Sequence, residues 1–232
     1  MLVIFYFVPV IITYYVLYVR NKEKFRRFKI QHKYPGRKQI NSEIRYSFLS
    51  LFNFSVAGLY IYETVQKGNT LMYFKISDYG VAYFVFSLFL LMFINDTIFY
   101  WTHRLMHLKG VFRYIHLVHH KYTSPTPFAV FSFGAGESIL HSIVYTCLAL
   151  LIPQHLAVFV IFHLYNMGSN IAGHAGFEFL SWKRRKQWFF KWQNTVTGHD
   201  LHHKRFNCNY GNYFILWDKL MSTLSEKEHF YQ

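Results

Sequence analysis

The chain has 232 residues, of which 53% are hydrophobic, 22% are aromatic and only 16% are charged. This composition excludes a disordered chain and disfavours an ordinary soluble domain, in which about a quarter of the residues are charged. The net charge of +14 suits an anionic membrane surface or a nucleic acid. Two cysteines are too few for a disulfide framework, whereas 14 histidines are unusually many.

Five apolar stretches follow one another along the chain. They are residues 1–19, 46–65, 79–101, 128–152 and 155–172. A helix that crosses a bilayer needs about 20 mainly apolar residues, so each stretch is a candidate span. Only the break at Pro153 separates the last two, which we expect to form either two full spans or a re-entrant hairpin. The first stretch lacks the basic leader and cleavage pattern of a signal peptide, and we expect a retained anchor.

The basic residues are distributed very unevenly between the apolar stretches. Segments 20–45, 104–121 and 183–227 hold 23 of the 25 lysines and arginines, and only Lys67 and Lys75 lie elsewhere. By the positive-inside rule, these segments and nearly all histidines are expected on the cytosolic side. The sequence therefore predicts an all-α integral membrane protein with about four to five transmembrane or re-entrant helices and a cytosolic helical cap. No nucleic-acid module is recognisable, so we expect no nucleic-acid partner.

Eight histidines fall into three groups at helical spacing. These are His103 and His107; His116, His119 and His120; and His199, His202 and His203. Residues three and four apart share one face of a helix, so each group is expected to aim its imidazoles at a common point. Imidazole binds Fe, Zn, Cu and Ni, and eight ligands fit two ions better than one.

The chemistry of such a centre can be narrowed from what accompanies the histidines. The sequence has no His-Glu-x-x-His motif, no cysteine cluster and few carboxylates, which disfavours a zinc protease, a zinc finger and a carboxylate-rich di-iron bundle. A histidine site at the edge of a membrane favours oxidation of a lipid with O2. A histidine-rich metal transporter or metal-binding membrane protein remains an alternative, as does a haem-binding electron carrier.

The order of the histidine groups resembles the fatty acid hydroxylase/sterol desaturase superfamily, whose members are membrane enzymes with a non-haem di-metal centre. Residues 96–104 are similar to the opening Asp-x-x-x-Tyr-Trp-x-His-Arg of that family, and residues 216–218 to its ending. Pro125 to Ala129 look like the lathosterol oxidase branch. Sterol-acting members usually carry His-Pro where this chain has Gly134-Ala135, which weakens the inference of a sterol substrate.

The resemblance implies nine metal ligands and no catalytic residue beyond them. Carried over by position, they are His103, His107, His116, His119, His120, His174, His199, His202 and His203. Behind them, Asp96, Asp200 and Glu137 are expected to accept hydrogen bonds from the ligand imidazoles.

The implied function is that of a membrane-bound non-haem di-iron oxygenase. It would use two iron ions, which zinc can replace on purification, and O2 as co-substrate. It would hydroxylate or desaturate a C–H bond of a lipid, either a sterol, a fatty acyl chain or a sphingolipid-like molecule. No dinucleotide-binding fingerprint or haem module is evident, so electrons must come from an external b-type cytochrome or ferredoxin with its reductase.

We expect a single membrane-embedded domain over residues 1–232. Residues 1–95 would form the N-terminal membrane helices and a basic cytosolic loop, and residues 96–223 the catalytic region. The active site would face the cytosol from a bacterial inner membrane or the endoplasmic reticulum, and the sequence leaves the oligomeric state open.

Overall fold

The computed structural model describes residues 2–188 and 190–225, so Met1, Phe189 and residues 226–232, including Lys227, lie outside the described residues. The main helices are α1 (Leu2–Tyr14), α2 (Arg37–Gln66), α3 (Gly80–Met106), α4 (Ala135–Leu151), α5 (Leu156–His174), α6 (Val196–Arg205) and α7 (Leu216–Leu220). A π-helical segment, Tyr15–Arg20, continues α1. Short helical turns lie at Lys22–Phe25, Arg26–Phe28, Ile76–Asp78, Phe112–Ile115, His119–Lys121, Pro127–Phe131, Trp182–Arg185 and Phe190–Trp192.

Within the described part of the chain, four helical segments are long and apolar enough to cross a membrane. They are Leu2–Arg20, Arg37–Gln66, Gly80–Met106 and Leu156–His174, while α4 is apolar but shorter. Large apolar side chains cover the outside of this bundle; Phe52, Leu59 and Val81 are each about two-thirds exposed. Water would disfavour such a surface and lipid favours it. The predicted all-α membrane fold is confirmed.

The α2–α3 loop and the α4–α5 turn meet at one end of the bundle. Strand β1 (Met72–Tyr73) pairs in parallel with β2 (Gln154–His155), and these are the only strands within the described ranges. The Leu71 N–H also donates to the Leu150 carbonyl over 3.3 Å. The α4–α5 hairpin therefore reaches the same end of the bundle as α2 and α3 before it returns.

The opposite end collects the termini of the helices that carry the histidines. Buried polar contacts fix this end: Tyr6 Oη donates to the Phe128 carbonyl over 2.8 Å, and Ser47 Oγ donates to the same oxygen over 2.9 Å. Glu43 on α2 accepts from Thr126 Oγ1 at 2.5 Å and from Gln39 Nε2 at 2.8 Å. These bonds tie α1 and α2 to the segment that follows the second histidine group.

Candidate metal centre

Nine histidines form two adjacent clusters at this end of the bundle. The five-histidine cluster contains His103, His107, His116, His120 and His202, and the four-histidine cluster contains His119, His174, His199 and His203. Within each cluster, one nitrogen from every ring lies within 4.8 Å of all the others. The clusters touch, since the ring centroids of His120 and His203 are 4.5 Å apart. The structure thus brings together all nine histidines singled out from the sequence.

The distribution over the clusters corrects the expectation that each sequence group shares one focus. His116 and His120 lie in one cluster, and His199 and His203 lie in the other. The middle histidine of each triplet, His119 or His202, belongs to the opposite cluster. On a helix, residue i+4 lies about 40° to one side of residue i, and residue i+3 about 60° to the other. One triplet therefore fans out and supplies two neighbouring sites. Only α6 carries a full triplet in regular helix, because His119–Lys121 is a short 3-10 turn.

The Nε2 atoms in each cluster face one another at short distances. In the five-histidine cluster, His116 Nε2 lies 3.0 Å from His103 Nε2 and 3.1 Å from His120 Nε2. In the four-histidine cluster, His199 Nε2 lies 3.1 Å from both His174 Nε2 and His203 Nε2. Imidazole nitrogens bound about 2.1 Å from one ion at right angles would be about 3.0 Å apart.

The remote nitrogens of three rings donate to backbone carbonyl oxygens. His103 Nδ1 donates to Tyr210 at 2.8 Å, His202 Nδ1 to Cys208 at 2.7 Å and His174 Nδ1 to Asn170 at 2.9 Å. Because a carbonyl only accepts, Nδ1 carries the proton in these rings and Nε2 presents a lone pair. Several lone pairs that converge at 3 Å repel one another unless a cation lies between them. The donor arrangement therefore fits a metal ion in each cluster.

A sharp turn after α6 supplies two of these carbonyl oxygens. Phe206 adopts a left-handed conformation with φ 66°, an arrangement that is costly for a residue with a side chain. The buried Asp218 carboxylate then holds the turn, accepting from the Tyr210 and Gly211 N–H groups at 2.9 and 2.8 Å. The returning chain places the carbonyls of Cys208 and Tyr210 against the histidines.

The clustered imidazoles outside the spanning helices are neutral near pH 7. Burial lowers the pKa of His107 to about 4. Burial, reinforced by neighbouring imidazoles, lowers the pKa well below the usual value for the others, which are His116, His119, His120, His199, His202 and His203. Neutral imidazole is the form that binds a metal ion.

The three carboxylates expected behind the ligands have different partners. Glu137 accepts from His116 Nδ1 at 2.7 Å, as anticipated. The expectation for the other two needs correction: Asp96 accepts from the Tyr213 and Phe214 N–H groups, and Asp200 binds Gln31 and Lys204. Asp96 lies about two helical turns before His103, too far to reach an imidazole, and instead anchors the chain that follows the turn after α6. Asp200 follows His199 directly and points to the other side of α6.

A cavity of about 490 Å³ opens beside both clusters. Its histidine wall contains His103 and His116 from one cluster and His119, His174 and His199 from the other. Apolar lining comes from Phe99, Val130 and Phe133, polar lining from Ser169, Asn170, Asn194 and Asn212, and small residues on α5 leave the space open. The volume lies in the range of small-molecule sites, so a ligand can reach both clusters at once.

Sequence reasoning missed several groups that shape this site. The carbonyls of Cys208, Tyr210 and Asn170 leave no sequence signal, because any residue supplies a carbonyl. His141 also lines the cavity, 3.9 Å from Glu137 Oε1, yet it belongs to neither cluster. Its position in an apolar stretch was a signal for it, but the sequence showed no partner.

The chain matches the family model described as fatty acid hydroxylase over residues 88–223, which is more than half of its length. It therefore belongs to the fatty acid hydroxylase family. The resemblance drawn from the histidine groups is confirmed.

Three relatives illustrate the range of similar proteins. A Delta(7)-sterol 5(6)-desaturase of Gibberella zeae is 30% identical over 92% of this chain and 62% of its own length. The lathosterol oxidase of Rattus norvegicus is 29% identical over 98% of this chain and 73% of its own. A cholesterol 25-hydroxylase-like protein of Danio rerio is 32% identical over 62% of this chain and 58% of its own. The chain thus spans less than two thirds of the length of the Gibberella zeae desaturase. No solved structure matches the chain.

Proposed function

We propose that the protein is an O2-dependent, non-haem di-iron enzyme that hydroxylates or desaturates a lipid C–H bond. The observation that carries this proposal is the pair of histidine clusters, nine candidate ligands in all, of which five from both clusters line one cavity. The family supplies the reaction class, because the relatives named above are oxidising enzymes. Zinc has no redox chemistry, so the proposal requires a redox-active metal such as iron.

The described residues would divide the work of such an enzyme in a simple way. When bound, the two iron ions supply the activation of O2 and the oxidation of the C–H bond. The histidines hold the ions, and the carbonyls of Tyr210, Cys208 and Asn170 fix the ring orientations. Phe99 and Phe133 form an apolar wall that limits water beside the reacting carbon.

The proposed substrate is a lipid that reaches the cavity from the membrane. The names of the relatives refer to sterols, so a sterol is the first class to test, followed by fatty acyl and sphingolipid-like substrates. These relatives include a desaturase and a hydroxylase-like protein. We therefore propose the oxidation without assigning its outcome.

The electrons are proposed to come from an external b-type cytochrome or ferredoxin with its reductase. Positive charge concentrates in the segments that contain or flank the histidine groups, with arginines and lysines in segments 20–45, 104–121 and 183–219. An acidic redox protein would be steered to this face, which we assign to the cytosol of a bacterial inner membrane or endoplasmic reticulum. Raising the salt concentration should slow electron transfer, and an unchanged rate would exclude the steering.

The alternatives have less support. The relatives do not support the hypothesis of a metal transporter. Both histidine clusters also lie at one end of the bundle and not along a path through it. A haem iron takes only two axial ligands, whereas five imidazoles converge on the cluster that contains His103 and His116.

Metal analysis of the purified full chain tests the centre. Wild type should contain two metal ions per chain, and His103→Ala or His174→Ala should each lower the content by up to one ion, lost from its own cluster. His163→Ala, which removes a histidine outside both clusters, is the matched control and should retain two. One ion or none in the wild type would contradict the shared centre.

A substrate assay tests the reaction itself. The iron-loaded protein in nanodiscs would be incubated with O2, a reducing partner and a panel of sterols, acyl lipids and sphingolipids. Mass spectrometry separates a product that has gained one oxygen from one that has lost two hydrogens. A fully metal-loaded protein that oxidises none of these classes would contradict the proposed function.

A further inference from the structure

A small basic pocket lies where the first span ends, and none of the clustered histidines lines it. It has a volume of about 280 Å³ and is lined by Lys22, Glu23, Arg26, Lys29, His32 and Tyr34. We call it the interfacial pocket, since it follows directly after Arg20, the last residue of the first candidate span. Neither the family nor the oxidation chemistry accounts for it.

Lys29 is the central feature of the interfacial pocket. Its side chain is buried, with only 5% of the residue exposed, and no carboxylate of the described residues lies within 4.0 Å of its Nζ. The ammonium instead lies 5.1–5.2 Å from the ring centroids of Tyr18, Tyr34 and Phe177. Aromatic rings offset part of the cost of burying a cation, but they do not replace an anion. A buried, unpaired ammonium at the edge of a cavity therefore points to an anionic ligand.

Tyr34 provides a second, independent observation. Its Oη is buried and has no hydrogen-bond partner among the described residues, although the ring lines the same pocket. A buried hydroxyl without a partner is unfavourable, so a ligand oxygen in the pocket would satisfy it. Lys22 adds a further cation, with its Nζ 4.3 Å from the centroid of the Tyr34 ring.

The charge of the pocket selects the ligand class. Three cations, Lys22, Arg26 and Lys29, face one carboxylate, Glu23, which Arg26 already contacts at 3.6 Å. The remaining two positive charges match a phosphate group. Burial lowers the pKa of Lys29 to about 8, against the weaker opposing effect of Asp200, so its ammonium is still the main form at pH 7.

We propose that the interfacial pocket binds the phosphate of an anionic lipid headgroup. The pocket sits at the end of a candidate span, the depth at which lipid phosphates lie, and basic pockets on the cytoplasmic side recognise such groups. The Lys29 ammonium and the Tyr34 hydroxyl contact the phosphate oxygens, and Lys22 and Arg26 close the site from the solvent side. This site is independent of the proposed oxidation and does not require metal.

The pocket is connected to the metal centre through the backbone. Lys29 forms an antiparallel bridge with Phe177, and the Ile30 N–H donates to the Gly176 carbonyl over 3.1 Å. Gly176 follows His174 by two residues. A bound headgroup would brace this pairing, so its binding should be visible as a rise in thermal stability.

The test uses the purified full chain in a phosphate-free neutral detergent. Dihexanoyl phosphatidic acid, dihexanoyl glycerol and inorganic phosphate are titrated separately, and the melting temperature and dissociation constant are measured. We expect phosphatidic acid alone to bind and stabilise. Lys29→Met should weaken binding at least about tenfold, because a charge-assisted hydrogen bond is lost, and Tyr34→Phe should weaken it less.

Two further variants separate the pocket from general charge effects. Lys33→Met removes the same charge from an exposed position outside the pocket and should bind like wild type. Lys29→Arg keeps the charge and should retain most of the affinity. Without ligand, Lys29→Met should be at least as stable as wild type, since it removes an unpaired buried charge.

Each outcome bears on the proposal. Equal stabilisation by inorganic phosphate would support a phosphate site and overturn its assignment to a lipid. Stabilisation by dihexanoyl glycerol would show that only the acyl chains bind, and equal weakening by Lys33→Met and Lys29→Met would show a diffuse charge effect. Either of these results, or no binding at all, overturns the proposal.

Discussion

The two histidine clusters are made from the same sequence groups, but they are held very differently. In the five-histidine cluster, three remote nitrogens have acceptors: the Tyr210 carbonyl for His103, Glu137 for His116 and the Cys208 carbonyl for His202. In the four-histidine cluster only His174 has one, the Asn170 carbonyl. Among the described residues, buried nitrogens without a partner occur in both clusters, namely His107 Nε2 and His120 Nδ1 in the first and the Nδ1 atoms of His119 and His203 in the second. The clusters therefore differ in the share of rings that are held, three of five against one of four. We infer that the first cluster is preorganised for metal and that the second adjusts its rings more freely.

The largest expected effect on metal content comes from removing one histidine from either cluster, in two separate variants. His202→Ala leaves four histidines in its cluster, whereas His203→Ala leaves three less firmly held ones. Both variants should lose most oxidising activity, but His203→Ala should lose its metal ion more completely. Metal content per chain, measured after the same dialysis, checks this order. A reversed order would mean that the remote acceptors do not decide retention.

The next largest effect is expected at the turn that carries two of those acceptors. Asp218→Asn replaces one carboxylate oxygen with an amide N–H facing a backbone N–H, which should lower the free energy of unfolding by about 3 kcal/mol. Metal should be lost first from the five-histidine cluster. Asp78→Asn, an exposed change at the opposite end of the bundle, should have little effect. Equal metal loss from both clusters would contradict the separate support of the two sites.

Glu137 tests the effect of a remote acceptor on a single imidazole, that of His116. Glu137→Ala leaves the His116 Nδ1–H without its acceptor and should weaken metal binding to the five-histidine cluster by about 10–100-fold. Glu137→Gln keeps an acceptor oxygen and should recover part of that affinity. Titration of the metal-free protein measures both. Identical constants for the two variants would show that Glu137 does not orient His116.

The smallest effect concerns the pH dependence of the metal-free protein. An unfolded imidazole takes up its proton near pH 6.5, but burial lowers the pKa of His107 in the folded chain to about 4. Between these values the unfolded state binds more protons, so stability falls as pH falls and levels off below pH 4. From pH 6.5 to 5.5, wild type should lose about 1 kcal/mol more than His107→Asn. Parallel stability curves would contradict this shift.

The sequence was informative wherever a long pattern had a single physical meaning. Apolar stretches of about 20 residues predicted the spanning helices, and the structure has four segments that meet this length and composition together with the shorter α4. Spacing also selected the nine histidines that come together. Spacing did not predict how the histidines are divided between the two clusters. His119–Lys121 is a tight 3-10 turn, and the side chains of a helical triplet spread over about 100° around the helix.

Short-range polar contacts were the least predictable part of the site. Asp96 and Asp200 lie close to histidines in the sequence, yet they bind backbone N–H groups and side chains elsewhere. Glu137 alone meets an imidazole. Proximity along the chain does not fix the direction of a short side chain, which depends on the donors that other segments bring near it.

The sequence by itself determined that this protein is a helical membrane protein, and it predicted a histidine-rich metal centre, because hydrophobic length and histidine spacing are local properties. The tertiary structure decided which histidines lie in the same cluster, which carbonyls orient their rings and where a cavity opens beside both clusters. It also buried Lys29 among three rings beside an interfacial pocket. These features depend on contacts between segments far apart in the chain, such as Lys29 with Phe177, which no local pattern encodes.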